Sequence, residues 1–97
     1  MGSATPRTYP NKLRQARIAA TLTQNEVIER IKTLAKNDPD QFITLSLSAL
    51  KRLESGKRRP RFRTARTFCE LYHESIEELF PEGLDVPRNP SGKAKVR

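Results

Sequence analysis

The chain has 97 residues, which leaves room for one small domain, and its single cysteine excludes an internal disulfide. Its net charge is +8 at pH 7, and no apolar run is long enough to span a bilayer, so we expect a cytoplasmic protein that binds a polyanion. Of its 19 Lys and Arg, 15 lie in residues 1–66, whereas residues 67–87 have none and carry six acids. Nucleic acid is favoured over a membrane surface, because no segment joins a basic face to large exposed apolar residues.

The two ends of the chain lack the periodicity of folded elements. Residues 1–10 contain Gly, Ser, Pro and Thr and predict a flexible N-terminal arm. Residues 81–97 are rich in Pro, Gly and Lys and predict a basic, disordered tail. A single domain over residues 11–80 is expected between them.

Two helices are predicted in the first part of this domain. Asn11 is a candidate cap for a short helix, in which apolar residues follow at spacings of three and four. Thr23 and Glu26 form a capping box, in which the hydroxyl and the carboxylate each accept from the other residue's backbone N–H. The helix that it opens has one continuous apolar face and should end near Lys36, with a further short turn at residues 38–42.

Three shorter helices are predicted after a connecting segment. Ser46 can cap a helix that runs through Glu54, with two leucines pointing inward and Gly56 placed to terminate it. Residues 64–73 have the pattern of a fourth amphipathic helix, and a second capping box at residues 75–78 opens a fifth. The sequence therefore predicts an all-α fold of five short helices.

Several short motifs together resemble the Cro and lambda-repressor family. They are residues 22–24 (Leu-Thr-Gln), 46–54 (Ser-Leu-Ser-Ala-Leu-Lys-Arg-Leu-Glu), 56–60 (Gly-Lys-Arg-Arg-Pro) and 75–80 (Ser-Ile-Glu-Glu-Leu-Phe). Their order and spacing carry the resemblance, which covers residues 11–80. It implies a helix-turn-helix domain whose third helix enters the major groove of DNA.

The resemblance makes the outward residues of the third helix candidate base readers, namely Leu47, Ser48, Lys51 and Arg52. The guanidinium of Arg52 matches guanine O6 and N7, and Lys51 can bind a guanine singly or sit on a phosphate. Leu47 has two interpretations of equal weight, against a thymine methyl or in the core.

Other polar residues are candidates for the phosphate backbone. Gln24 begins the second helix, where the resemblance implies a phosphate contact. A basic loop follows the third helix and should bind phosphates without reading sequence. Its cations are Lys57, Arg58, Arg59, Arg61 and Arg63. The resemblance also implies a structural ion pair between Arg17 and Glu54.

The connection between the second and third helices departs from the family. Ile28 and Lys32 occupy the positions where the family has a small residue and a turn glycine, so the tight turn cannot form. The segment is also about a dozen residues longer than the family's usual spacing. We expect an extended connection, in which the apolar side chains of residues 36–45 pack against the core.

We therefore predict a sequence-specific regulator of transcription, a repressor that binds double-stranded DNA in the cytoplasm at the nucleoid, as a homodimer at least on DNA. An enzyme is disfavoured, because the chain has one His, one Cys and no triad-like or glycine-rich phosphate motif. No cofactor, metal or small-molecule ligand is expected.

Two other functions remain open. The domain could be an adaptor or antitoxin component, with Phe80, Leu84 and Val86 as a partner surface, although these residues could equally form a homodimer interface. RNA binding is disfavoured because Tyr9 lies in the arm and the phenylalanines fall mainly on apolar faces, which leaves no aromatic platform for bases.

Overall fold

A computed structural model describes residues 8–85. These residues form five helices: α1 (Leu13–Ala19), α2 (Gln24–Asn37), α3 (Leu47–Glu54), α4 (Phe62–Tyr72) and α5 (Ile76–Leu79). No strand occurs between residues 8 and 85. The prediction of an all-α fold with five helices and an extended connection between α2 and α3 is confirmed.

The predicted caps begin α2 and α3. The Thr23 hydroxyl accepts from the N–H of Glu26 at 3.1 Å, and the Glu26 carboxylate accepts from the N–H of Thr23 at 2.8 Å. These hydrogen bonds lower the pKa of Glu26, because they favour its charged form. The Ser46 hydroxyl accepts from the N–H of Ala49 at 3.1 Å, so α3 begins where the sequence predicted.

The start of α4 differs from the prediction. The helix begins at Phe62, two residues before the expected Thr64. Its N-cap is Arg61, which makes no capping hydrogen bond with its side chain, so no cap residue marks this start in the sequence. The helix ends where His73 adopts a left-handed conformation with φ of 57°.

The core lies where α1, α2, α3 and α4 meet. Phe68 is fully buried at its centre, stacked on Tyr72 at 6.1 Å between ring centroids and edge-on to Phe80 at 6.4 Å. The other buried apolar residues are Leu13, Val27, Ile28, Ile31, Ala35, Leu50, Leu53, Ala65 and Leu79. The helical periodicity of the sequence thus selected the inward faces correctly.

The suggested partner surface near the end of α5 is wrong for Phe80. Phe80 is only 3% exposed, and Leu84 packs against the core. The Phe80 side chain is therefore not available to a partner, whereas Leu84 is only partly covered by its packing against the domain's own apolar residues. Val86 lies outside the described residues.

The connection of residues 38–46 docks on α4. It makes a single turn, in which the N–H of Phe42 donates to Asp38 O at 3.1 Å, and then runs extended into α3. The N–H of Ile43 donates to the Thr67 hydroxyl at 3.1 Å, and that fully buried hydroxyl donates in turn to Arg63 O at 2.8 Å. Thr67 therefore anchors the connection from inside the domain.

Two exposed contacts support this anchor. The Arg66 guanidinium donates twice to Gln41 Oε1, at 2.9 and 2.6 Å. The Arg63 guanidinium donates to Pro39 O at 2.7 Å. Among the apolar residues expected to pack inward, Leu45 does so against the core, while Phe42 and Ile43 are half-buried.

Parts of the predicted arm and tail lie against the domain. The N–H of Tyr9 donates to Gly56 O at 2.6 Å, and the N–H of Asp85 donates to Pro60 O at 2.8 Å. The rest of both segments, residues 1–7 and 86–97, falls outside the described residues. In the part of the chain that is described, none of the helices has the length and apolar character required to cross a bilayer.

Candidate nucleic-acid interface

One face of α3 is open to solvent and carries polar side chains. Ser48, Lys51, Arg52 and Ser55 follow at the spacings of three and four that place residues on one side of a helix, and all four are exposed. The Ser55 hydroxyl donates to Arg52 O at 2.9 Å. Within residues 8–85 the side chains of Ser48, Lys51 and Arg52 have no hydrogen-bond or ion-pair partner, so they are free to bind a ligand.

Leu47 lies at the edge of this face. Its side chain is half-buried and packs against the core. This packing matches the interpretation of Leu47 as a core residue. Only the exposed part of the Leu47 side chain is available for a contact with a thymine methyl.

The C-terminal end of α3 is held by a carboxylate that three donors share. Arg17 Nε lies 2.8 Å from Glu54 Oε2, and the terminal Nη2 of Arg17 donates to Oε1 at 3.2 Å. The Gln24 amide donates to the same Oε1 at 3.1 Å. Glu54 is 5% exposed and Arg17 15%, and this pairing raises the pKa of Arg17. The ion pair implied by the resemblance is therefore present and ties α1 and α2 to α3.

This arrangement fixes the direction of the Gln24 side chain. Its amide N–H points at Glu54, so in this conformation it is not directed outward to a phosphate. Phosphate binding by Gln24 stays a prediction. It requires either a turn of the amide away from Glu54 or the unpaired backbone N–H groups of the first turn of α2.

A polar groove lies beside the exposed face of α3, on the side of Lys51. Its volume is about 470 Å³. It is lined by Arg14, Arg17, Leu22, Thr23, Gln24, Lys51, Glu54 and Ser55. Arg14 is exposed here and was missed in the sequence, although its place three residues before Arg17 puts both on one side of α1.

One hydroxyl near the ion pair has no partner. The Tyr72 oxygen is buried and has no hydrogen-bond partner among the described residues. Burial and the nearby charge of Glu54 raise the pKa of Tyr72 well above its ordinary value. The Tyr72 hydroxyl is therefore neutral and lies on the core side of the ion pair between Arg17 and Glu54.

The basic loop after α3 divides into two groups. Lys57, Arg58 and Arg61 are exposed and have no ion-pair partner within residues 8–85. Arg59 is half-buried, with its guanidinium 4.7 Å from the centroid of the Tyr9 ring, a cation–π contact. Arg63 donates to Pro39 O, as described above. The sequence assigned all five to phosphates, whereas Arg59 and Arg63 also hold other parts of the domain.

Gly56 permits the approach of the N-terminal segment to this loop. Its φ is +78°, and a Cβ built on it would lie 3.0 Å from Tyr9 O. The left-handed conformation that ends α3 and the contact with Tyr9 thus both require glycine. The Asn11 amide adds a second tie by donating to Leu53 O at 2.6 Å.

A smaller crevice opens on the other side of α3. Its volume is about 150 Å³, and its lining residues are Leu45, Ala49, Leu53, Arg58, Arg59, Pro60, Arg61 and Thr64. Successive residues of a helix turn by about 100°, so the groove lies on the Lys51 side of the exposed face and this crevice on the Arg52 side. The free face of α3 is thus flanked by cations on both sides.

Phe62 is the exception to the expectation that the phenylalanines lie mainly on apolar faces. It is 55% exposed in the first turn of α4, among the arginines of the basic loop. The inward periodicity of α4 begins only at Ala65, so no sequence pattern placed Phe62 inside. The exposed ring of Phe62 therefore lies beside the candidate interface.

The comparison with known proteins agrees with this geometry. A family model described as a helix-turn-helix domain matches residues 11–80. The chain belongs to the helix-turn-helix domain family. This membership is consistent with the resemblance to Cro and lambda repressor, and helix-turn-helix domains are DNA-binding domains of regulators. No curated protein and no solved structure matches the chain significantly.

The residues that could suggest other chemistry have structural positions. Cys69 is half-buried and packs against the core, where burial raises the pKa of its thiol. His73 terminates α4. Within residues 8–85 no three His, Cys, Asp or Glu side chains come together as a possible metal site.

Proposed function

We propose that this protein is a transcriptional repressor that binds double-stranded DNA in a sequence-specific manner by inserting α3 into the major groove. The observation that carries the proposal is the free face of α3, with Ser48, Lys51 and Arg52 exposed between two cationic flanks. A helix seated in the major groove lies between two phosphate backbones, and cations on both sides suit that environment.

The side chains of this face favour guanine. Arg52 and Lys51 both match the O6 and N7 acceptors of guanine, whereas adenine is usually read by Asn or Gln, which this face lacks. Each well-placed contact of this kind discriminates against a wrong base by about 1–3 kcal/mol. We therefore expect guanines at the centre of each half-site.

The flanking cations supply affinity. The exposed candidates for phosphate contacts that have no partner within residues 8–85 are Arg14 in the groove and Lys57, Arg58 and Arg61 in the basic loop. A protein that makes six to ten such contacts loses roughly 10³- to 10⁵-fold in affinity between 50 and 200 mM salt. Four contacts from each of two subunits fall in this range.

A dimer supplies more specificity than one α3 does. Two base-reading side chains give roughly 2–6 kcal/mol, whereas specific sites exceed non-specific DNA by about 4–10 kcal/mol. Two subunits on half-sites about one helical turn apart would close this gap. Bound in this way, the domain excludes other proteins from the site, which is the steric basis for repression at the nucleoid.

Selection of sites from random duplexes, followed by footprinting at two salt concentrations, tests the proposal. We expect a two-fold symmetric, guanine-containing site whose protection persists when non-specific binding is lost at higher salt. Equal and steeply salt-dependent binding to all duplexes would contradict it. Tighter binding to single-stranded RNA, in which Phe62 would take part, or the absence of binding to any nucleic acid, as for an adaptor or antitoxin, would also contradict it.

A further inference from the structure

Two of the exposed cations after α3 stand on a short segment whose ends are buried. Gly56 and Pro60 are buried, whereas Lys57 and Arg58 between them are exposed. The N–H of Tyr9 donates to Gly56 O at 2.6 Å, so the first end of the segment is held by a residue that precedes α1. The segment of residues 56–60 thus presents its cations from a position that the N-terminal part of the domain helps to fix.

Tyr9 contacts this segment at a second point. The Arg59 guanidinium lies 4.7 Å from the centroid of the Tyr9 ring, in a cation–π contact. The backbone of Tyr9 therefore binds the segment before Lys57 and Arg58, and its ring binds the segment after them. One residue joins the two sides of the pair of exposed cations.

The place of Tyr9 is itself fixed by its neighbour in the chain. Two residues later, the Asn11 amide donates to Leu53 O at 2.6 Å, and the Asn11 side-chain oxygen accepts from the N–H of Leu13 at 3.0 Å. Asn11 thus ties the end of α3 to the start of α1. Tyr9 is held against the domain by this tie, so it can hold another segment in turn.

The segment has a reason to need such a contact. Gly56 adopts a φ of +78°, and glycine restricts the backbone less than any other residue. The side chains of Lys57 and Arg58 have no ion-pair partner within residues 8–85. Conformational freedom that is lost on binding lowers affinity. A contact that orders the segment before DNA arrives therefore raises affinity.

We propose that Tyr9 is a positioning residue for DNA binding, which holds Lys57 and Arg58 in the conformation that binds phosphates. The proposal rests on the proposed function. It assigns the ring of Tyr9 to the protein's own loop rather than to DNA. Tyr9 then acts on affinity for every duplex and leaves the reading of bases by α3 unchanged.

Binding of Tyr9→Leu to the selected duplex, and to duplexes with single base changes, tests the proposal. Leucine is apolar but has no ring to contact Arg59. A cation–π contact at an exposed site corresponds to about a two- to five-fold change in an equilibrium constant. With one contact in each chain of a dimer, Kd should rise roughly four- to twenty-five-fold for all duplexes alike. An unchanged Kd, or a changed discrimination between duplexes, would overturn the proposal.

Two variants of the same segment are the controls. Tyr9→Phe keeps an aromatic ring over Arg59 and should bind with a Kd within about two-fold of that of the unaltered chain. Thr8→Ala changes the exposed neighbour of Tyr9 and should leave Kd unchanged. If Tyr9→Phe binds as weakly as Tyr9→Leu, the ring contact does not hold the loop and the proposal is wrong.

A double-mutant cycle separates positioning from a direct contact of Tyr9 with DNA. Lys57→Gln with Arg58→Gln removes the cations that Tyr9 is proposed to position. In this background Tyr9→Leu should change Kd by less than about two-fold, because effects that act through a shared group are not additive. An equal effect of Tyr9→Leu in both backgrounds would show that the ring contacts DNA itself, which would overturn the proposal.

The order of the loop is measured on the free protein, by NMR relaxation. In Tyr9→Leu the backbone order parameters of residues 57 and 58 should fall from about 0.85 to below about 0.6, while thermal unfolding shows a folded domain. Equal order parameters in both proteins would contradict the proposal. If the unaltered chain selects no duplex, the proposed function fails, whatever the order of the loop. If it selects a duplex and Tyr9→Leu binds equally well, only the role of Tyr9 is excluded.

Discussion

The two ends of α3 are held in different ways. At the C-terminal end, the buried carboxylate of Glu54 accepts from the guanidinium of Arg17 and from the amide of Gln24. At the N-terminal end, the connection from α2 is anchored by neutral hydrogen bonds of the Thr67 hydroxyl and by exposed contacts of Gln41. One end is a charged joint between three helices, and the other is a docked loop.

Because the two ends differ, the orientation of α3 is more sensitive to substitutions at one end than at the other. Hydrogen bonds to charged groups contribute about 1.5–3 kcal/mol each, whereas neutral ones contribute about 1 kcal/mol. The charged joint therefore fixes the position of the C-terminal end strongly, while the angle of α3 depends on the weaker anchor. The tight turn that the family has between these two helices is absent. Instead, Thr67 of α4 holds the connection that leads into α3.

The largest effect should follow from breaking the charged joint. Glu54→Ala leaves Arg17 without its counter-charge in a partly buried place. We expect a decrease in stability of about 2–4 kcal/mol, between the values for exposed and for fully buried ion pairs. This corresponds to a fall in Tm of about 10 °C or more for a domain of this size. Thermal unfolding followed by circular dichroism measures it.

An exposed ion pair of the same protein is the control for this experiment. Lys32 and Glu29 lie 3.3 Å apart on α2, with side chains 58% and 72% exposed. Glu29→Ala should change Tm by no more than about 3 °C, because surface pairs contribute little. Equal decreases in Tm for Glu29→Ala and Glu54→Ala would show that the ion pair at α3 stabilises the domain no more than an exposed pair does.

A smaller effect on stability should come from the buried anchor of the connection. Thr67→Val keeps the shape of the side chain but leaves the N–H of Ile43 without an acceptor, which costs about 1–3 kcal/mol. The orientation of α3 should change as well, so DNA affinity should fall at a temperature where the variant is fully folded. Thr67→Ser retains the hydroxyl and is the control. If valine and serine variants bind the selected duplex equally, the anchor does not orient α3.

The charged end of α3 was predictable from the sequence, and the docked end was not. Gly56 carries the local signal for the helix end, and the resemblance supplied the pairing of Arg17 with Glu54, whereas at the other end only the Ser46 cap carried a signal. Thr67 is 24 positions from its partner Ile43, and Gln41 is 25 positions from its partner Arg66, so these contacts belong to no repeating pattern. Long-range pairs of this kind depend on how α4 packs, which periodicity alone does not determine.

The candidate site was predictable to a similar extent. The exposed face with Ser48, Lys51 and Arg52 follows from the helical period once the leucines of α3 are inside. The division of the basic loop does not, because the partners of Arg59 and Arg63 are Tyr9 and a backbone oxygen of the connection. A run of cations in a sequence does not show which of them contact other parts of the same domain.

The smallest effect should come from the exposed contacts of the connection. Gln41→Ala removes the acceptor of both Arg66 hydrogen bonds, but the pair is exposed and water replaces it. We expect Tm to change by less than about 4 °C and DNA affinity by less than about three-fold. A decrease as large as that of Thr67→Val would mean that the surface contacts, rather than the buried hydroxyl, hold the connection.

We infer that the free face of α3 reads bases while the loop beside it binds phosphates. Binding of Arg52→Ala and Arg58→Ala to the selected site and to duplexes with single base changes tests this claim most directly. Arg52→Ala should lose about 1–3 kcal/mol of discrimination at one guanine of each half-site. Arg58→Ala should weaken binding to all duplexes alike and make the salt slope shallower by about 1. Identical changes of affinity and discrimination in the two variants would contradict the account.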